Sequence, residues 1–215
     1  MKYGPPGRLE LASVLLLSAL SCASAQDSTA TPQNAPPTPL AILLAHDARS
    51  REILARASGD SLSPKLQQQF KSHINTAFDF DELSRLSLGA HWAQRSTDER
   101  AEFAQLFSAI IKEQNFDRFR DYYRKDNIAY QEEKIDGPQS TVTALIPLEK
   151  GDQIEILYHL HLVDNQWRIY DLAVDGASTV DGNRRRYGRY IKKNSYAKLI
   201  QQLQKQLDRL TSTNN

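Results

Sequence analysis

The chain reads as an α+β domain, an antiparallel four- to five-stranded sheet packed with several helices. Residues 154–172, IEILYHLHLVDNQWRIYDL, alternate apolar and aromatic side chains around Asp164-Asn165, the mark of a β-hairpin closed by a tight primed turn. Two further alternating stretches precede it, separated by the turn signals Asp136-Gly137-Pro138 and Lys150-Gly151-Asp152. Apolar residues spaced three and four apart mark helices on both sides of this strand region. Strands in succession joined by short turns make a meander, and helices must cover whichever face is apolar.

Of the 215 residues, the first 25 are expected to leave. Lys2 and Arg8 precede the apolar run 11–20, and Ala23-Ser24-Ala25 satisfies the small-x-small rule for cleavage before Gln26. That run is too short to span a bilayer. Cys22 lies where a lipoprotein would be acylated, but Ala19-Leu20-Ser21 fits that signal poorly, so cleavage after Ala25 is favoured and acylation is the alternative. With cleavage the single cysteine is lost, and disulfide and thiolate chemistry with it. Residues 26–39, rich in Ser, Thr, Pro and Ala, read as a disordered linker, and residues 40–212 as one domain.

Within the domain, Leu40, Leu43, Leu44, Ile53 and Leu54 suit an amphipathic helix whose middle is weakened by His46-Asp47 and which Ser58-Gly59-Asp60 ends. Ser63-Pro64 opens a second helix that stacks Leu66, Phe70 and Ile74. In FDFDELSRLSLGAHW, Asp79 or Asp81 caps a helix burying Leu83, Leu86 and Leu88, and Gly89 stops it. Ser96-Thr97-Asp98-Glu99 is a capping box that opens the longest helix, with a stripe of Phe103, Leu106, Phe107, Ile110 and Ile111 continued by Phe116, Phe119, Tyr122 and Tyr123. Strands follow over 127–135, 140–148 and the hairpin. A two-residue hairpin turn sets Leu162 opposite Trp167, Leu160 opposite Ile169 and Tyr158 opposite Asp171. Ile191, Tyr196, Leu199, Leu203 and Leu207 give a terminal amphipathic helix.

Without residues 1–25 the chain keeps 25 basic and 25 acidic residues, a balance that argues against nucleic acid as a partner. The local exception is Arg184, Arg185, Arg186, Arg189, Lys192 and Lys193, either a solvated helix face or a surface for phosphates or acidic groups. No nucleophile motif, Walker loop or dinucleotide glycine pattern occurs. His159-x-His161 is the best pair for a metal, but Arg168 lies nearby and no third ligand suggests itself, so half-exposed strand histidines are the favoured reading. Asp79 with Asp81 is read as capping rather than metal binding. Asp171 on an apolar face needs a donor: the Tyr158 hydroxyl or a backbone amide if structural, a ligand group if it anchors a pocket.

Three segments together resemble one family. FDFDELSRLSLGAHW and the following TDERAEFAQLFSAII are similar to its F-D-[FL]-x-x-[ML]-[AS]-R-x-x-L-G-x-x-W segment and next helix, with Phe78, Asp79, Arg85, Leu88, Gly89 and Trp92 matching. WRIYDLAVDGAS resembles its W-[KR]-[VI]-Y-D-V-x-[VI]-[ED]-G-[VA]-S segment through Trp167, Tyr170, Asp171, Gly176 and Ser178. GNRRRYGRYIKKNSYAKLIQQL resembles its tail at Arg184, with Gly182-Asn183 in place of Asn-Tyr and Tyr187 in place of Phe. The family is that of the MlaC, or toluene-tolerance, substrate-binding proteins. The resemblance implies a sheet and helices enclosing a deep apolar pocket for acyl chains, a periplasmic location, no catalysis and no cofactor. It implies as partners a phospholipid ligand, an inner-membrane substrate-binding and ABC transporter complex, and an outer-membrane lipoprotein complex. Another lipid such as a hopanoid, or a non-catalytic periplasmic adaptor, is the alternative.

Independently, an apolar sheet face and helices with wide aromatic stripes suit such an enclosure. Leu106, Ile110, Ile156, Tyr158, Leu160, Trp167 and Ile169 are the candidate lining residues. Arg184, Arg185, Arg186 and Arg189 are the candidates for phosphate head groups or an acidic docking partner.

Overall fold

The structure, a computed structural model, describes residues 36–57, 62–124, 128–148 and 151–213. The expected signal peptide, residues 26–35 of the expected linker and the Ser58-Gly59-Asp60 stop lie outside these residues.

Helix α1 (Pro39–Leu54) starts where Thr38 Oγ1 accepts the Ala41 amide and where the Glu133 carboxylate, from the sheet, accepts the Leu40 amide at 2.6 Å. α2 (Pro64–Asn75) is capped by Ser63, and α3 (Phe80–Leu88) by Asp79, whose Oδ1 accepts the Glu82 amide at 2.9 Å. Gly89, at φ +60°, ends α3 and leads into the single turn α4 (Ala90–Ala93). A Cβ on Gly89 would sit 2.9 Å from the Arg184 side-chain stem, so both the positive φ and the close approach require glycine. The capping box closes as read: the Glu99 amide donates to Ser96 Oγ and the Ser96 amide to Glu99, opening α5 (Thr97–Arg124).

Five strands follow: β1 (Ala129–Asp136), β2 (Gln139–Pro147), β3 (Gln153–Val163), β4 (Gln166–Val174) and the short β5 (Ala177–Ser178), in that spatial order and antiparallel throughout. The fold is α+β as the sequence indicated. One face of the sheet is buried: Val142, Ala144 and Ile146 on β2, Ile156, Tyr158 and Leu160 on β3, Trp167 and Ile169 on β4. β1 is an edge strand, interrupted by an irregularity between Tyr130 and Glu133, and it carries an exposed Glu132–Lys134 pair at 3.0 Å beside exposed Ile135.

The hairpin turn is as read, with Asp164 and Asn165 both at positive φ, and Leu162 faces Trp167 and Leu160 faces Ile169. Beyond that the register departs from expectation. Tyr158 lies opposite Leu172, and Asp171 opposite His159, because Tyr170 is an extra residue bulged out of β4. The bulge shifts the alternation, so Asp171, Leu172 and Ala173 are all buried in succession. The terminal helix is also two helices rather than one. α6 (Thr179–Lys193) and α7 (Tyr196–Thr213) break at Asn194-Ser195, where Ser195 Oγ accepts the Lys198 amide and starts the new helix. None of the helices among the described residues is long and apolar enough to cross a membrane.

Candidate functional site

Between the buried sheet face and the helices lies an inner cavity of about 10 Å³, room for one water. α1 lends Leu43, His46 and Asp47 to it, α2 Ile74, and α5 Phe119 and Tyr123. Phe78 borders it too, and Tyr130, Tyr158 and Ile169 close it from the sheet. Phe78 reaches this position because its segment pairs with β4: the Asp79 amide donates to the Ile169 carbonyl and the Ile169 amide to the Ala77 carbonyl, each at 2.8 Å.

The wall is not uniformly apolar. Tyr123 Oη donates to the buried Asp47 carboxylate at 2.5 Å, and Tyr130 and Tyr158, with ring centroids 6.2 Å apart, face the same cavity from the sheet. Desolvation raises the Asp47 pKa, although the Tyr123 and Tyr130 phenols and the Arg51 guanidinium work against it. Burial pushes Tyr123, Tyr130 and Tyr158 upward as well, so they remain protonated donors. The Asp47–Tyr123 bond ties α1 to α5 across the cavity. The sequence offered one signal for it, the polar His46-Asp47 step inside an otherwise amphipathic helix.

His46 itself stacks on His73 of α2, with ring centroids 4.1 Å apart, and each Nε2 donates to the other's carbonyl at 3.0 Å. Burial, with the facing His73 adding to it, brings the His46 pKa from 6.5 down to about 4. The folded imidazole therefore binds its proton more weakly than the unfolded one. Its stabilising contribution is complete above pH 6.5 and is lost as pH falls through about 4, by up to about 3 kcal/mol. Thermal denaturation between these limits should show the loss, and His46→Gln should flatten it; an unchanged slope in the variant would assign the loss to other groups.

A second, larger cavity of about 100 Å³ opens where α3, α5 and α6 meet. Phe78, Leu83, Ile111 and Leu172 form its apolar part, and Gln114, Asn115, Arg118, Thr179, Asn183 and Arg186 its polar part. Phe78 thus stands between the two cavities. Of the polar set, sequence reasoning named Arg186 alone, as a phosphate candidate; it missed the others, which come from segments more than sixty positions apart with no shared motif.

Of the expected lining residues, Tyr158 and Ile169 border the inner cavity. Leu106, Ile110, Ile156, Leu160 and Trp167 are buried in the core and border neither cavity. Asp171 is not paired with Tyr158. Its Oδ1 accepts the Leu172 and Val180 amides and its Oδ2 the Ser178 hydroxyl, while Ser178 Oγ caps α6 through the Asp181 amide. It is a clamp between β4 and α6. His161 donates from Nε2 to Asp79 Oδ2 at 3.0 Å, and no group of three metal-ligating side chains exists among the described residues.

The arginine cluster divides. Arg184 is bound to Asp181 at 2.5 Å and packs its stem on Gly89. Arg186 donates to Asn183 Oδ1 at 2.9 Å and Tyr187 Oη at 3.0 Å and lies over the Tyr187 ring. Arg185, Arg189 and Lys192, at i, i+4 and i+7 of α6, form an exposed stripe with no ion-pair partner among the described residues.

Among proteins of curated function, none matches the sequence. Among solved structures, the fold is similar to the phospholipid-binding protein from Ralstonia solanacearum, determined in complex with a phospholipid, with a TM-score of 0.61 and 18% identity over 78% of this chain and 97% of that one. The MlaC protein family matches residues 48–205, from the middle of α1 into α7. The chain therefore belongs to the MlaC family.

Proposed function

We propose that this protein is a periplasmic lipid carrier, which holds phospholipid acyl chains between its sheet and helices and shuttles them between outer- and inner-membrane complexes of an ABC lipid-transport system. It catalyses no reaction, and residues 1–25 supply the export signal. The inner cavity carries the reading: sheet and helices both turn apolar and aromatic side chains into it, in a fold shared with a protein solved around a phospholipid. Each methylene withdrawn from water contributes about 0.8 kcal/mol, so a carrier must enclose its chains nearly completely. At about 10 Å³ the cavity is far below the roughly 300–1,000 Å³ of a pocket for a drug-sized ligand. Loading therefore moves the helices off the sheet, and the Asp47–Tyr123 hydrogen bond is a tie that such a movement breaks.

Native mass spectrometry of the mature chain, purified without detergent, tests the proposal. A stoichiometric phospholipid mass is expected; a bare protein mass with no uptake from phospholipid vesicles would remove the carrier reading in favour of an adaptor. The exposed α6 stripe suits docking on acidic surfaces of the membrane complexes. Arg185→Ala with Arg189→Ala should slow delivery about tenfold and leave bound lipid unchanged, as read by transfer of labelled lipid between the reconstituted complexes. Delivery at the original rate would show that docking occurs elsewhere.

A further inference from the structure

The second cavity has a composition unlike the first. Two arginines reach it from different helices, Arg118 from α5 and Arg186 from α6, and the residues bordering it include no carboxylate. Neither arginine has an ion-pair partner among the described residues, although the chain's charges are otherwise evenly balanced. Arg186 is held in place: its Nη2 donates to Asn183 and to Tyr187, which leaves Nε–H and Nη1–H with no hydrogen-bond partner among the described residues. Asn115 and Asn183, both more than nine-tenths buried, bring amide groups to the same wall, although Asn115 Nδ2 already donates one hydrogen to Asn75 Oδ1 at 3.3 Å. Guanidinium groups and amides without a facing acid are the donor set of an oxyanion, and arginine forks suit a phosphate better than any other side chain does.

The floor of this cavity settles which phosphate. Phe78 forms part of it and is also part of the inner cavity's wall. An anion held by Arg118 and Arg186 stands one aromatic ring away from the apolar interior, so the ligand that suits both is an anion with a greasy tail. We infer that the α3–α5–α6 cavity is the phosphodiester site of the bound lipid, with Arg118 and Arg186 as its two arms and Phe78 as the partition the acyl chains displace. This rests on the carrier reading and adds to it a preference for phosphorylated lipid.

The test compares uptake of phosphatidylglycerol with that of diacylglycerol carrying the same acyl chains, each presented in vesicles of an uncharged phospholipid-free carrier surfactant and read by native mass spectrometry. The original chain should favour the phosphorylated lipid about tenfold or more. Arg118→Ala with Arg186→Ala should take up both lipids equally. Arg118→Gln alone should lower the preference while sparing the Arg186–Asn183–Tyr187 contacts, which keeps the test valid if the double variant folds poorly. A preference that survives both variants would overturn this inference and leave the carrier reading standing; failure of the original chain to take up either lipid would overturn both. Excess inorganic phosphate should leave the preference intact, since it lacks the tail. Loss of the preference in inorganic phosphate would assign the cavity to the free ion instead.

Discussion

Phe78→Ala should lower the stability of the fold by about 3–5 kcal/mol. The ring is buried, stacks on Phe80 with centroids 5.6 Å apart and meets Phe119 edge-on at 6.3 Å. Its backbone is held by the paired hydrogen bonds to Ile169, so truncation leaves the segment in place and the space open. Two cavities then become one, and the loss combines lost transfer energy with a void that neighbours anchored on β4 and α5 cannot collapse into. Urea unfolding would measure it; a loss under about 1 kcal/mol would mean that the surrounding side chains close the gap and that Phe78 is no partition. The companion observation is lipid exchange, which should quicken once the partition is gone.

Asp171→Ala should cost about 3 kcal/mol and lower the midpoint of thermal unfolding by about 6–12 °C for a domain of this size. One carboxylate accepts three donors there, the Leu172 and Val180 amides and the Ser178 hydroxyl. Removing it strands buried donors that water cannot reach, which is costlier than losing an exposed bond. Asp171→Asn keeps one carbonyl oxygen and should recover part of the loss. An enzyme reading would expect the opposite pattern, activity lost with stability intact. A midpoint unchanged in the alanine variant would remove the clamp.

Much of this architecture was legible because its signals are local. Asp164-Asn165 fixes a turn by the backbone angles it tolerates, Ser96 and Glu99 satisfy each other's amides, and Asp79 caps its own helix. The register beyond Tyr170 was not legible from counting outward from a turn, since a bulge adds one residue without changing the composition. Its trace is the buried run Asp171-Leu172-Ala173, which no alternating strand explains. The break at Asn194-Ser195 was written in the sequence as a cap, but the apolar period runs across it. The cavities were harder. Asp47 meets Tyr123, and Arg118 shares a cavity with Arg186, through tertiary approach of segments far apart in the chain. Periodicity identifies which residues are buried; it does not say which buried residues have space beside them, and so Leu106 and Tyr158 look alike in sequence.

The edge strand β1 has a consequence for how the chain keeps to itself at high concentration. An unpaired strand edge templates pairing with a second copy, and chains that met edge to edge would grow into fibres. β1 opposes this with an irregularity at Tyr130–Glu133 that breaks a flat pairing surface, and with the charges of Glu132 and Lys134 beside its exposed isoleucine, Ile135. Each incoming copy would have to bury or mismatch those charges. Even at high concentration, β1 therefore favours separate chains over polymers of them.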